Sequence, residues 1–291
     1  RQQGAKVIAI CNTQGSSIPR ESDAALYTHA GPEIAVASTK AFLAQITATY
    51  LLGLYLAQLR GNMFADEIQG VLAELRHMPD KVQSVIDEED QVANLANSMK
   101  DAESVLFLGR HVGFPVALEG ALKLKEIAYL HAEGFAAGEL KHGPIALIEE
   151  GQPVFVIVPS PRGRDSLHSK VVSNIQEIRA RGAITIVIAE EGDTAVEDYA
   201  NHVIRIPKAP TLMQPLLATV PLQFLAAFIA RECGNQDIRP MGRGTEKLEE
   251  QLAIALPGAR IGRIDADVTK RAGALEAQLA EEVLDLTLPA P

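Results

Sequence analysis

Short runs of aliphatic and β-branched residues alternate along this chain with longer segments whose apolar positions recur every three or four residues. The run at 5–12, AKVIAICN, predicts a strand buried on both faces. Residues 17–23, SIPRESD, predict a connector, and residues 25–31, ALYTHAG, predict a brief strand and a turn. An apolar segment at 38–60, which opens with Ser and Thr, predicts a long helix.

Residues 66–100 keep a helical period with one polar side, and Pro79 interrupts it once. This pattern predicts two helices that bridge two domains.

A second unit repeats the alternation of strands and helices. It opens with a strand at 104–110, SVLFLGR, a turn around Gly113 and a helix that contains ALEGALKLKE at 117–126. We expect a Gly-rich loop to about Ile145. The later pattern predicts strands at 153–159, 184–190 and 202–207, and helices at 166–181 and 213–231. Such alternation predicts a doubly wound α/β layer around a parallel sheet.

The pattern changes after Cys233. Thr245 is the expected N-cap of a helix, and a short strand is expected at 259–264 before a charged helix. We therefore expect a separate, short α/β tail.

Composition and charge narrow the classes of protein. The chain has 291 residues, of which 47% are hydrophobic and 22% charged, as in a soluble globular protein with one large or two medium domains. Its net charge of −10 makes a nucleic-acid partner unlikely. Cys11 and Cys233 lie far apart and form no CxxC pair, so we expect neither a disulfide framework nor a metal site, and a cytoplasmic location.

The segment 41–59 is the one membrane candidate that we find. Gln45, Thr47, Thr49 and Gln58 interrupt it. We therefore expect a buried helix and no membrane contact.

Three charged residues share a stripe on the helix at 117–126. Glu119, Lys123 and Glu126 stand at i, i+4 and i+7, which place them on one side of an α-helix. A glutamate beside a lysine in a pocket can move a proton, whereas the same pair on a surface only stabilises the helix slightly. The pattern alone leaves both interpretations open.

The connection at 131–148, HAEGFAAGELKHGPIALI, is long for an irregular loop and so indicates function. We expect it to place Glu133, Glu139, Lys141 and His142 near one end of the sheet. His142 can exchange protons near neutral pH, although a histidine bonded to a neighbouring backbone group would give the same sequence.

A third candidate is the segment 33–42, EIAVASTKAF, in which small residues lead into a helix. Free amides at such a helix start favour an anionic or hydroxyl-rich group. An ordinary N-cap at Ser38 accounts for the pattern equally well.

Three long stretches carry a family resemblance: RESDAALYTHAGPEIAVASTKAF, ALEGALKLKEIAYLHAEGFAAGELKHGPIALI and VVSNIQEIRARGA. They resemble the isomerase half of the glutamine-fructose-6-phosphate aminotransferase (glucosamine-6-phosphate synthase) family, which is built from two sugar isomerase (SIS) domains. The resemblance covers about residues 1–231. It implies a flavodoxin-like, three-layer SIS domain preceded by a truncated SIS domain.

The resemblance also implies roles for individual residues. Glu126 corresponds to the base that moves a proton between C1 and C2 of the sugar, with Glu119 and Lys123 as its supporting pair. His142 corresponds to the histidine that opens the sugar ring and reaches into the neighbouring subunit's site. Such proton transfer fits the chemistry expected of a carboxylate held beside an ammonium group.

The family's substrate contacts and partners follow in the same way. Val36 and Ser38 match the segment whose backbone and hydroxyl contact the sugar. The family converts fructose 6-phosphate into glucosamine 6-phosphate with glutamine-derived ammonia and acts as a homodimer, and no cofactor is expected. A sugar-phosphate-binding module without catalysis is the alternative.

The sequence departs from the family at three points. We find no stretch like the SQSGET loop that binds the sugar phosphate, and no glutaminase domain. The family closes with DQPRNLAKSVTVE, whose lysine forms a Schiff base with the sugar, whereas this chain has DIRPMGRGTEK. Lys247 is not an aligned substitute. We therefore expect a truncated first SIS domain, impaired activity and exposed apolar surface on the helix at 38–60.

The tail from Cys233, CGNQDIRPMGRGTEKLEEQLAIALPGARIGRIDADVTKRAGALE, is similar to a piece of the primosomal replication-restart helicase. It has one cysteine and no nucleotide-binding loop, so neither zinc binding nor ATP hydrolysis is expected, and its acidic setting opposes DNA binding. The resulting domains are the C-terminal part of a first SIS domain (1–75), a linking helix (76–100), a second SIS domain (101–232) and the helicase-like tail (233–291).

Overall fold

The computed structural model describes residues 3–34, 36–162 and 167–232. The predicted tail, with the N-cap at Thr245, the strand at 259–264 and Lys247, lies outside the described residues, as does Ser166 at the predicted start of a helix.

The first sixty residues form a pair of strands and a long helix. Strand β1 (Ile8–Cys11) pairs in parallel with β2 (Ala24–Tyr27), α1 (Ser17–Glu21) connects them, and α2 (Lys40–Leu59) follows. The predicted connector at 17–23 is wrong, because it contains a helical turn. The predicted burial of the first strand is also wrong: Ile8 is exposed, since a two-stranded sheet has too few neighbours to cover both faces.

Three helices, rather than the two predicted, connect this unit to the second one. They are α3 (Ala65–Arg76), α4 (Met78–Ile86) and α5 (Glu89–Met99). Pro79 lies in the first turn of α4, where its missing N–H costs no helical hydrogen bond. The break between α4 and α5, at Asp87 and Glu88, carries neither Gly nor Pro, so the sequence pattern did not reveal it.

The second unit contains a five-stranded, fully parallel sheet. The strands are β3 (Ser104–Gly109), β4 (His131–Ala136), β5 (Pro153–Ile157), β6 (Ile184–Glu190) and β7 (His202–Ile206). Their order across the sheet is β4-β3-β5-β6-β7. β4 lies on one side of β3 and the later strands lie on the other, so the strand order reverses between β3 and β5.

Helices cover both faces of this sheet and so form three layers. On one face α5, α6 (Gly113–Lys123) and α8 (Gln214–Glu232) pack on a core in which Phe107 and Phe155 stack 5.0 Å apart. On the other face α7 (His168–Arg179) packs on Leu106 and Val154. The predicted doubly wound α/β fold is confirmed.

The helices predicted to bridge two domains belong to the core of the second unit. Met78 and Val85 of α4 and Val92, Leu95 and Met99 of α5 are buried in the same apolar cluster as α8. Their burial makes α4 and α5 part of one layer of the sheet domain.

The predicted loop at 131–148 is wrong in its first third, which forms the edge strand β4. Gly134 lets α6 approach this strand closely, because a Cβ atom there would lie 3.0 Å from the backbone of Leu118. Two 3₁₀-helical turns follow, at Ala137–His142 and Pro144–Leu147. The chain after β4 is therefore ordered structure rather than an irregular loop.

Two helices are long and apolar enough to cross a membrane by composition, at Lys40–Leu59 and Thr211–Glu232. Only the first was predicted to qualify. The second is mostly buried in the core of the sheet domain, as core helices of globular proteins are. Only 11% of the apolar window of the first is buried, so the expectation of a buried helix is wrong for the described residues.

Candidate active site

Helix α6 carries the charged stripe, and small residues on the buried side of the helix fix where it lies on the sheet. Ala117, Gly120 and Ala121 face the sheet, where their small size allows close packing against Phe107. The helix then widens into a π-helical turn at Leu124–Ala128. Turns of this kind are rare and occur often at functional sites.

The three residues of the stripe are in contact with one another. The Lys123 ammonium lies 2.7 Å from Oε2 of Glu126 and 3.1 Å from Oε1 of Glu119. The Lys123 side chain is 2% exposed, that of Glu119 10% and that of Glu126 30%. The predicted shared stripe is confirmed, and a solvated surface pair does not fit this burial.

The two carboxylates differ in how they contact Lys123 and in how exposed they are. Lys123 donates a hydrogen bond to Glu126, whereas its contact with Glu119 is an ion pair that lacks hydrogen-bond alignment. A buried ammonium group needs nearby negative charge, which both acids supply. Glu126 is the more exposed of the two acids, so it is the one that can meet a ligand.

The charged cluster lies away from the carboxyl ends of the strands. Helix α6 starts just after β3, runs back along the sheet, and leads through the π-helical turn into the start of β4. Ligands of open parallel sheets bind beyond the carboxyl ends of the strands. The beginning of α6 lies at that edge, and Glu126 does not.

His142 lies at the end of the 3₁₀ turn that follows β4. Its Nδ1 is 2.8 Å from Oε2 of Glu139, and both side chains are exposed. Its partner is a carboxylate, so the alternative of a histidine bonded to a neighbouring backbone group does not describe this contact. The structure pairs His142 with Glu139 and not with the Glu119–Lys123–Glu126 cluster.

The predicted grouping of four polar residues at one end of the sheet is wrong for Glu133. This residue lies inside β4, in register with Leu106, and its Oε1 is 3.5 Å from Nε2 of His131. Lys141 lies beyond the strand, where its ammonium is 2.9 Å from Oε1 of Glu177 on α7. This ion pair ties the His142 turn to the helix layer.

Val36 and Ser38 precede α2, with Val36 exposed and Ser38 half-buried. The proposed N-cap at Ser38 is wrong, since the cap position is Thr39. The Glu33 carboxylate accepts hydrogen bonds from the amides of Thr39 (3.3 Å) and Ala41 (2.9 Å). Sequence reasoning missed this role, which an acid shortly before a helix start could have indicated.

A family model for the SIS domain matches residues 1–55 and 98–229. The chain belongs to the SIS-domain family. The longer SIS match contains the charged cluster and His142, and the shorter one contains Val36 and Ser38.

Two curated relatives agree with this SIS assignment. The chain is 86% identical over 235 residues to glutamine–fructose-6-phosphate aminotransferase [isomerizing] from Corynebacterium diphtheriae, a match that covers 80% of this chain and 38% of the relative. It is 80% identical over 240 residues to the protein of the same name from Corynebacterium glutamicum, covering 82% and 38%. The predicted resemblance is confirmed, and the chain spans 38% of the length of these relatives.

A solved structure shares the fold of the two SIS matches. It is the C-terminal domain of glucosamine-fructose-6-phosphate aminotransferase from Francisella tularensis, with 38% identity and a TM-score of 0.72. The match covers 78% of this chain and 63% of that one.

Proposed function

We propose that this chain carries the isomerase site of a glutamine–fructose-6-phosphate aminotransferase and moves a proton between C1 and C2 of fructose 6-phosphate. The observation that supports this most is the buried Lys123, held between Glu119 and Glu126. The names of relatives that are 86% and 80% identical support the substrate. The transfer of glutamine-derived ammonia, which yields glucosamine 6-phosphate, is proposed for the whole protein.

Glu126 acts as the base in this proposal. Its carboxylate removes the proton from C1 of the open-chain ketose, and an enediolate forms. The same group then returns the proton to C2 while the hydroxyl proton passes from O1 to O2, which yields the aldose. Lys123 holds the carboxylate through Oε2, so Oε1 is the atom proposed to meet the sugar.

Lys123 and Glu119 support Glu126 without touching the sugar. The ammonium group holds the Glu126 carboxylate in place when no substrate is bound, because removal of that contact would leave charges unpaired in a mostly buried site. Glu119 balances the ammonium while Glu126 changes its protonation state.

The remaining residues have proposed roles in a homodimer. His142 is exposed on its turn, so it can enter the site of a second copy and open the sugar ring. The backbone of Val36 and the hydroxyl of Ser38 contact the sugar. We place the reaction in the cytoplasm.

Conversion of fructose 6-phosphate to glucose 6-phosphate without glutamine tests the proposal. Glu126→Gln removes the base and keeps the shape, so we expect conversion to fall by about 10²–10⁴-fold. Glu88→Gln, an exposed acid between α4 and α5, makes the same change of charge and should leave the rate unchanged. Binding of fructose 6-phosphate to the parent chain without product would instead support the non-catalytic module.

A further inference from the structure

The turn at Ala137–His142, here called the His142 turn, is buried on one side and exposed on another. It has 3₁₀ spacing, in which side chains three positions apart lie above one another. Ala137 and Leu140 are buried in the apolar cluster that α7 covers. Glu139 and His142 repeat the same spacing on another side, where their side chains are 67% and 73% exposed. The turn therefore presents its histidine outward.

Helix α7 holds both ends of this segment through backbone carbonyl groups. The side-chain amide of the buried Asn174, oriented so that its nitrogen faces acceptors, lies 3.2 Å from the carbonyl oxygen of Ala137. Seven positions later, just beyond the end of α7, Nη1 of Arg181 donates to the carbonyl of Ile145 at 3.0 Å. Positions separated by seven lie on the same side of a helix. One side of α7 therefore contacts the chain before and after His142.

An ion pair lies between these two contacts. Oε1 of Glu177 lies 2.9 Å from the ammonium of Lys141, the residue before His142. Oε2 of the same carboxylate is buried and has no hydrogen-bond partner in the described part of the chain. A carboxylate with one oxygen out of water depends on its counter-charge more than a fully exposed pair does. This pair is therefore the contact through which α7 fixes the end of the His142 turn.

The chain bends sharply immediately after His142. Gly143 has a φ of 147°, a conformation that residues with a side chain rarely adopt. Its carbonyl accepts a hydrogen bond of 2.9 Å from the amide of Ala146, which begins the next 3₁₀ turn. His142 thus lies between the bend at Gly143 and the ion-paired Lys141, so the position of its ring depends on these neighbours.

We infer that Glu177 is a positioning residue for His142. Through Lys141 it fixes where the imidazole lies, and so it affects the opening of the sugar ring but not proton transfer at Glu126. The inference rests on the proposed isomerase function, in which His142 enters the site of a second copy.

The geometry leaves one ring nitrogen of His142 for this step. Nδ1 faces Oε2 of Glu139 at 2.8 Å, so Nε2 is the atom that can meet the sugar. Ring opening breaks the bond between C2 and O5 of the furanose. His142 gives a proton to O5, and the hydroxyl on C2 gives its proton to water as the C2 carbonyl forms.

5-Deoxyfructose 6-phosphate separates ring opening from proton transfer, because it lacks O5 and cannot close the furanose ring. The test measures hydrogen exchange at C1 in D₂O by the full chain, with this sugar and with fructose 6-phosphate. Glu177→Gln keeps the shape of the side chain and removes the charge that Lys141 meets. We expect exchange of fructose 6-phosphate to slow about tenfold, since a displaced catalytic group loses much of its effect. Exchange of the 5-deoxy sugar should stay at the parent's rate.

Arg179→Gln is the matched control. Arg179 lies on the same helix, and its Nη1 donates at 2.6 Å to the carbonyl of Asp198, which lies between β6 and β7. This variant should exchange both sugars as the parent does. Lys141→Gln should match Glu177→Gln, and the double variant should be no slower than either, because both single changes break one contact. Equal slowing of both sugars in Glu177→Gln, or equal rates in Glu177→Gln and Arg179→Gln, would overturn the inference.

A signal that needs no turnover separates this inference from the proposed function. A parent chain that exchanges neither sugar would contradict the proposed function. The Cε1–H resonance of His142 then decides the inference, as it also does where only the 5-deoxy sugar fails to exchange. This resonance should shift in Glu177→Gln and stay in place in Arg179→Gln. An unchanged resonance in both variants would overturn the inference.

Discussion

Lys123 is the residue on which the charged cluster depends, since its ammonium group is the only part of that cluster that contacts both acids. Its position at i+4 from Glu119 could be predicted from the sequence. Its burial could not, because periodicity places residues on one side of a helix without showing which side the protein covers. We identify no sequence signal for the π-helical turn that contains Glu126.

Replacement of Lys123 tests this dependence. Lys123→Met keeps the length of the side chain and leaves Glu119 buried without its counter-charge, so the free energy of unfolding should fall by about 3–5 kcal/mol. Lys125→Met, at an exposed lysine two residues further along the chain, should change it by less than about 0.5 kcal/mol. Urea denaturation followed by circular dichroism measures both. Equal stability of the two variants would mean that Lys123 is not a buried partner of Glu119.

At the scale of elements, helix α6 is positioned by glycines as much as by apolar side chains. Strands β3, β5 and β6 were predictable because they are mostly apolar runs buried on both faces, and β7 was predictable from the β-branched Val203, Ile204 and Ile206. Strand β4 was missed because HAEGFA contains no β-branched residue, and its Gly134 reads as a loop signal. That glycine is required by the close approach of α6, which is a tertiary contact.

Gly120 allows the close packing of α6 on the sheet to be tested. A Cβ atom there would lie 2.8 Å from both Leu222 and Phe107, so Gly120→Ala must displace α6 from the sheet. We expect a loss of about 1–3 kcal/mol in the free energy of unfolding and reduced isomerisation, since the cluster moves with the helix.

The matched control is Gly70→Ala in α3, where nothing lies within 4 Å of the added atom. This variant should be stabilised by about 0.5–1 kcal/mol through helix propensity alone. Thermal melts of the two variants compare them directly. Gly120→Ala that melts at or above the parent would contradict the account of close packing.

On the scale of the whole molecule, the described residues combine a well-covered sheet domain with an exposed apolar helix. Leu51, Tyr55 and Leu59 lie one turn apart on α2 and are exposed, as are Ile8 and Leu26 of the two-stranded sheet. The sequence predicted this surface on the helix at 38–60. The sequence could not show that α4 and α5 pack into the sheet domain. The spacing of their apolar positions suits helices that bridge two domains equally well.

Exposed apolar surface of this kind favours self-association. Sedimentation velocity should show species larger than the monomer that grow with concentration. Leu51→Gln combined with Leu59→Gln should shift that association to higher concentration. Leu147→Gln, an exposed apolar residue after β4, should not. A parent chain that stays monomeric and melts sharply would contradict this prediction.

In the proposed reaction, Glu126 carries hydrogen between two neighbouring carbons of the sugar. The most direct test is hydrogen exchange at C1 of fructose 6-phosphate in D₂O, followed by ¹H NMR, because it detects proton removal without a complete turnover. We expect deuterium to enter one of the two C1 positions with the parent chain, and we expect Glu126→Gln to slow this exchange by about 10²–10⁴-fold. Exchange in Glu126→Gln at the parent's rate would contradict this role of Glu126.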